Sequence, residues 1–213
     1  MEECDIIGIR YFQEETYAKD FIEGRIFFNS AGVFRDIPNP EQHYSEGRVP
    51  YFTNEIIING NKFTGDIRYT WYYEEDDRVP ICCFSYITPS DIQNGVFNAD
   101  ERMKKTYKYF VVFNIGDLLT GLTKALENTE CGLIAHPIEY VDFNDKTNPA
   151  TKLDLSYIPV YYKRFFIHSN ENAHQKEFRI IITGKMFDVK GQHTKIDIAQ
   201  NWSSVPLRIC ELR

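Results

Sequence analysis

The chain has 213 residues, with 24 Lys and Arg against 31 Asp and Glu and a net charge of -7. That length suits one domain spanning 1–213 with a substantial core, because no Pro/Gly/Ser-rich linker divides it. The acidic balance argues against broad direct DNA binding, which needs a basic surface, and no apolar run reaches the length of a membrane span.

The N-terminal Met1–Asp5 is acidic with no hydrophobic segment behind it, so a cytoplasmic protein with no membrane partner is expected. Ile6–Phe12 reads as a first strand that delivers Arg10, Tyr11 and Phe12 to a strand end. Gln13–Glu23 reads as a helix with Tyr17, Ala18 and Phe21 on one side, closed by Gly24. A second strand, Arg25–Asn29, follows, then one helical turn over Ser30–Asp36 and a polar loop from Pro38 to Pro50. Loops of that length in compact domains are often functional.

Glu55–Ile58, Lys62–Thr64 and Asp66–Tyr73 read as short strands, the first two joined at Asn59-Gly60-Asn61. The run Glu74-Glu75-Asp76-Asp77 reads as a solvated turn, with a metal or protein-binding role as the alternative. Val79–Ile87 is a continuous apolar run and hence a central strand, carrying Cys83-Phe84-Ser85-Tyr86 near its end. Tyr107–Asn114 is a further strand. Gly116–Glu127 has the clearest helical periodicity in the chain. Cys131–Phe143 reads as a strand broken by Pro137, followed by a polar turn region over 142–150. Thr194–Ile198 and Pro206–Leu212 are candidates to close the sheet. Strands dominate and few alternate with helices, so the expected class is α+β: mixed, mostly antiparallel sheets with a few short helices. Aromatic residues at 15% agree with a β-rich chain.

Phe165–Gly184 reads as a polar loop feeding a strand. On a strand Gln175, Glu177 and Arg179 would share one face, with Phe178 and Ile180 anchored in the core. The plain reading of Glu177 and Arg179 is a same-face ion pair on a half-exposed strand. The five cysteines, Cys4, Cys82, Cys83, Cys131 and Cys210, are odd in number and lack CxxC spacing, which suggests neither a disulfide framework nor a zinc site. Only His168 and His174 lie close together among the five His, so no metal is expected. Walker, Rossmann and kinase signatures and the G-x-S-x-G elbow are missing.

What remains is an ordered set: Arg10 ending the first strand, Ser85 ending a central one, and Gln175-x-Glu177 opening a late one. This order resembles the Arg, Ser, Gln-x-Glu layout of the mono-ADP-ribosyltransferase superfamily. The resemblance implies a split α+β sheet, with NAD bound as a substrate. It makes Glu177 the carboxylate that stabilises the ribose cation and Gln175 the residue that positions the acceptor. Arg10 and Ser85 would bind the cofactor, and Tyr11, Phe12 or Tyr86 would stack on nicotinamide. Cys83-Phe84-Ser85 departs from the Ser-Thr-Ser usual in that superfamily.

The chain as a whole is also similar to bacterial and phage proteins linked in part to abortive phage resistance. That likeness rests on the aromatic first strand, Gly24–Asn29, Phe34–Asp36, Cys83–Ser85 and Lys163–Ile180. It implies a protein or nucleic-acid-processing target in a phage–bacterium conflict. Two other functions fit the sequence: an acidic protein-binding inhibitor working through Glu74–Asp77, and a relative that binds a nucleotide without turnover.

Overall fold

The computed structural model describes residues 7–36, 47–70, 72–88, 91–93, 96–184, 193–202 and 209–211. The acidic start of the chain and most of the 38–50 loop lie outside the described residues. In chain order, β1 (Ile7–Phe12) leads to α1 (Glu15–Ile22), β2 (Arg25–Ser30) and α2 (Ala31–Asp36). Then come β3 (Tyr51–Ile58), β4 (Asn61–Tyr69), β5 (Pro80–Ile87), β6 (Ile92–Gln93) and β7 (Val96–Phe97). They are followed by α3 (Glu101–Thr106), β8 (Tyr109–Asn114), α4 (Ile115–Leu126), β9 (Gly132–Pro137), β10 (Glu139–Val141) and α5 (Val160–Lys163). The last strands are β11 (Ile167–Ser169), β12 (Glu177–Thr183), β13 (His193–Asp197) and β14 (Ile209–Glu211).

The fold is α+β with mostly antiparallel strands, as composition and patterning predict; β10 and β11 form the parallel pair among the described residues. Its main sheet has eight strands and forks at β5. Ser85 pairs with both Glu177 of β12 and Ile9 of β1, while Ile81 pairs with both Ile181 of β12 and Asn29 of β2. A strand has two edges, so β12 occupies one along its length, and β1 and β2 take successive parts of the other. From the fork one branch runs β1-β8-β14 and the second runs β2-β13, with β9 beyond β12. Between the branches, the middle of β5 at Cys82–Phe84 has no strand partner on that edge among the described residues.

Period-two alternation divides the sheet residues between two cores. Phe12, Cys82, Phe84, Phe178, Ile180 and Ile182 pack with α1 and α4 on one face. Ile81 and Ile181 pack with Ile138, Ile158, Phe165 and Phe166 on the other. Each buried aliphatic or aromatic side chain contributes roughly 1.5–3 kcal/mol of transfer free energy, so both faces of β5 and β12 are covered at a gain. Helix α1 ends at Gly24, whose φ of 82° is left-handed; a Cβ there would meet the Ala199 backbone nitrogen at 2.7 Å.

Several elements differ from the sequence reading. The three short strands expected over 55–73 are one long hairpin of β3 and β4, carried across Asn59-Gly60 and a register shift between Thr53 and Glu55. The break expected at Pro137 is present and separates β9 from β10, since proline cannot donate to a ladder. Helix α3 was not anticipated; Asp100 caps it by accepting from the Arg102 backbone N–H at 2.9 Å. No described helix is long and apolar enough to cross a membrane.

Candidate functional site

The gap between the sheet branches opens into a cleft of about 300 Å³ lined by Arg10, Tyr11, Ser85, Gln175 and Glu177, together with Phe27, Asn29 and Cys83. Five residues selected from three distant stretches of the sequence therefore line one concavity. The fork explains the convergence: β1 ends on one side of the gap, β5 forms its floor, and the start of β12 lies beyond Ser85.

Glu177 and Gln175 reach the cleft from different elements, which corrects the expected single strand. Gln175 closes a 3-10 helix, Asn170–Gln175, and Lys176 between them is left-handed at φ 43° and ψ 53°. A left-handed residue breaks the period-two alternation, so Gln175 belongs to the turn and only Glu177 and Arg179 share the strand face. This turn is tied down at several points. Ser85 Oγ donates to the Gln175 carbonyl at 2.5 Å, and the Tyr86 backbone N–H donates to the Lys176 carbonyl at 3.0 Å. Lys176 also pairs with Asp91, and the Glu177 N–H donates to the Tyr140 hydroxyl at 2.9 Å. Ser85 thus holds the turn that carries Gln175.

The Glu177–Arg179 ion pair exists, but it is buried and not half-exposed: the residues are 3% and 0% accessible. Arg179 Nε and Nη2 donate to Glu177 Oε1 at 2.8 and 2.5 Å, and Arg179 Nη1 donates to the Phe165 carbonyl at 2.5 Å. Glu177 Oε2 is buried with no hydrogen-bond partner. A carboxylate oxygen in that state has unused accepting capacity, which costs free energy unless a ligand donor fills it.

Arg10 is the cationic counterpart. Its Nη1 donates to Cys82 Sγ at 2.9 Å and its Nη2 to the Phe27 carbonyl at 3.2 Å, so the guanidinium bridges the gap from β1 to β2. The Phe12 and Phe21 rings lie 5.8 and 5.3 Å from its Cζ. Arg10 forms no ion pair with a carboxylate among the described residues. A half-buried guanidinium without a counter-charge is suited to bind an anion. Burial pushes the Cys82 thiol up in pKa despite Arg10 beside it, so it is a neutral acceptor.

Tyr11 stacks on Tyr107 with centroids 5.8 Å apart. Phe12, by contrast, is in the core, and Tyr86 packs against that core, so neither lines this cleft. Burial, with a smaller contribution from Asp100, raises Tyr11 from 10.0 to about 12. Burial and then the Glu177 charge raise Tyr140 as well. A group with a raised folded pKa contributes stability that is complete below the unfolded value and lost as pH rises through the folded one. The melting temperature should therefore fall between about pH 10 and 12, and Tyr11→Phe should flatten that fall in a thermal-unfolding series.

The remaining candidates lie away from this cleft. Glu74–Arg78 is a 3-10 helix in which Asp76 is fully buried, accepting from Arg164 at 2.5 Å, Tyr161 at 2.9 Å and the Tyr73 N–H at 2.9 Å. Asp77 pairs with Arg35. Half of the acidic run is therefore occupied internally, and reversing its charge would test folding before binding. His168 is buried, and its pKa is held well below the usual value by burial and by Arg179. Among the described residues no three His, Cys, Asp or Glu are grouped to hold a metal. Phe27, Asn29 and Tyr140 were not singled out from sequence. The alternation of β2 is a signal for the first two, whereas nothing local marks Tyr140.

Comparison of the chain with protein-family models, curated proteins and solved structures gives no match.

Proposed function

We propose that this chain consumes NAD, transferring ADP-ribose to a macromolecular target, or to water, in a conflict between phage and bacterium. The observation that carries this reading is the unpartnered, buried Glu177 Oε2 in the same cleft as the uncompensated Arg10. The sequence resemblance supplies the reaction class. In that reaction the bond from nicotinamide nitrogen to ribose C1′ breaks, its electron pair leaves with nicotinamide, and positive charge develops on the ribose. Glu177 Oε2 accepts a ribose hydroxyl hydrogen bond and stabilises that charge, while Arg179 fixes the carboxylate through Oε1. An acceptor nucleophile then attacks C1′ and releases its proton. Gln175, held by Ser85, borders the approach, and Arg10 binds the phosphates.

The test is nicotinamide release, or transfer of labelled ADP-ribose, with Glu177→Gln as the control. The amide oxygen still accepts from Arg179 but the buried guanidinium loses its counter-charge, so thermal unfolding is measured beside the rate, which should fall about 10²–10³-fold in the folded variant. Absence of release with any candidate target would remove the enzymatic reading. An NAD-induced thermal shift without turnover would leave a binding protein in its place.

A further inference from the structure

The reacting cleft does not end at Arg10. A second, larger arm of about 570 Å³ shares Arg10, Tyr11, Phe27 and Asn29 with it and reaches α1 and the edge strand β13. This arm is lined by Tyr17, Asp20, Arg25, His193 and Lys195. Arg10, Arg25 and Lys195 place three permanent cations there against the lining carboxylate of Asp20 and that of Glu23, which also pairs with Arg25, in a chain whose net charge is -7. Asp20 is shared, since Arg25 donates to its Oδ1 at 2.6 Å and Lys195 to its Oδ2 at 2.7 Å. Planar surfaces accompany the charge: Phe27 and His193 stack at 4.8 Å, and Tyr17 is exposed.

We infer that the second arm binds the nucleoside-diphosphate half of the ligand, so that the dinucleotide passes Arg10 with its reacting ribose at Glu177 and its other end at β13. This rests on the proposed NAD reaction and adds Arg25, His193 and Lys195 as recognition residues. The first arm, at about 300 Å³, lies at the small end of ligand pockets, roughly 300–1,000 Å³, and takes one nucleoside but not a dinucleotide. The ligand's remainder must leave through an opening. The second arm supplies what that remainder requires: cations for a diphosphate and aromatic faces for a base.

Calorimetric titration of ADP and of nicotinamide mononucleotide tests the assignment. Lys195→Glu should weaken ADP at least about tenfold, more at low salt, and weaken the mononucleotide far less. Lys195 is 46% exposed on its side chain, so the fold should tolerate the change, and Lys195→Gln serves if it does not. ADP binding that ignores Lys195, or NAD turnover without ADP binding, overturns the assignment. Lys195-dependent ADP binding without NAD turnover overturns the transferase reading and leaves the arm a nucleotide site. No binding and no turnover overturns both.

Discussion

Arg179→Met should destabilise the protein by about 3–5 kcal/mol, because it leaves a buried Glu177 carboxylate without its charge partner. The substitution conserves much of the side-chain volume, so packing is not the main loss. What disappears is the pair of donors to Glu177 Oε1 and the donor to the Phe165 carbonyl, all at full burial. Denaturant unfolding would show a lower midpoint at unchanged slope. The double variant Glu177→Leu with Arg179→Met should recover most of the loss, since an apolar pair replaces a buried ion pair at little net cost. If the single variant loses less than about 1 kcal/mol, the pair is effectively solvated and the description of Glu177 as a buried carboxylate fails.

Phe21→Ala should cost about 3–5 kcal/mol and also weaken anion binding. Phe21 is 2% accessible and lies at the centre of an aromatic cluster, with ring centroids 5.8 Å from Phe12, 5.0 Å from Phe113 and 5.6 Å from Trp202. Truncation leaves a cavity that Phe12, Phe113 and Trp202 cannot readily close. Its ring is also part of the platform under the Arg10 guanidinium, 5.3 Å from Cζ. Phe21→Leu refills much of the space without the aromatic face, so it separates the two effects. Stability should largely return, while ADP affinity stays reduced. Equal affinity in Phe21→Leu and the parent would show that the ring only packs.

Local patterning determined a good deal here. The apolar run at 79–87 is the strand at the fork, the periodicity at 116–127 is α4, and Gly24 ends α1. These are decisions about one face of one element, and burial of a repeating apolar set settles them within a short window. The residue types of the site were legible as well: a late-strand carboxylate, an early-strand arginine and the serine of a central strand. Arg10, Tyr11, Ser85, Gln175 and Glu177 were chosen by order in the chain, and order carries no distances.

Tertiary structure alone brought them together. Two strands compete for one edge of β5, and the gap this leaves depends on pairings across 50 residues (Ser30 with Pro80) to 80 residues (Ile7 with Ile87) that no local signal encodes. It also decided that Lys176 is left-handed, moving Gln175 off the strand, and that Glu177 keeps one oxygen for Arg179 and one unpartnered. Turn geometry at Lys176 is set by Ser85 and Tyr86 from a different strand, and the Glu177–Arg179 pair is held by Tyr140, which accepts from the Glu177 N–H, and by the Phe165 carbonyl, which accepts from Arg179. A sequence specifies which groups can do chemistry; which of their atoms remain available follows from the other hydrogen bonds that folding completes.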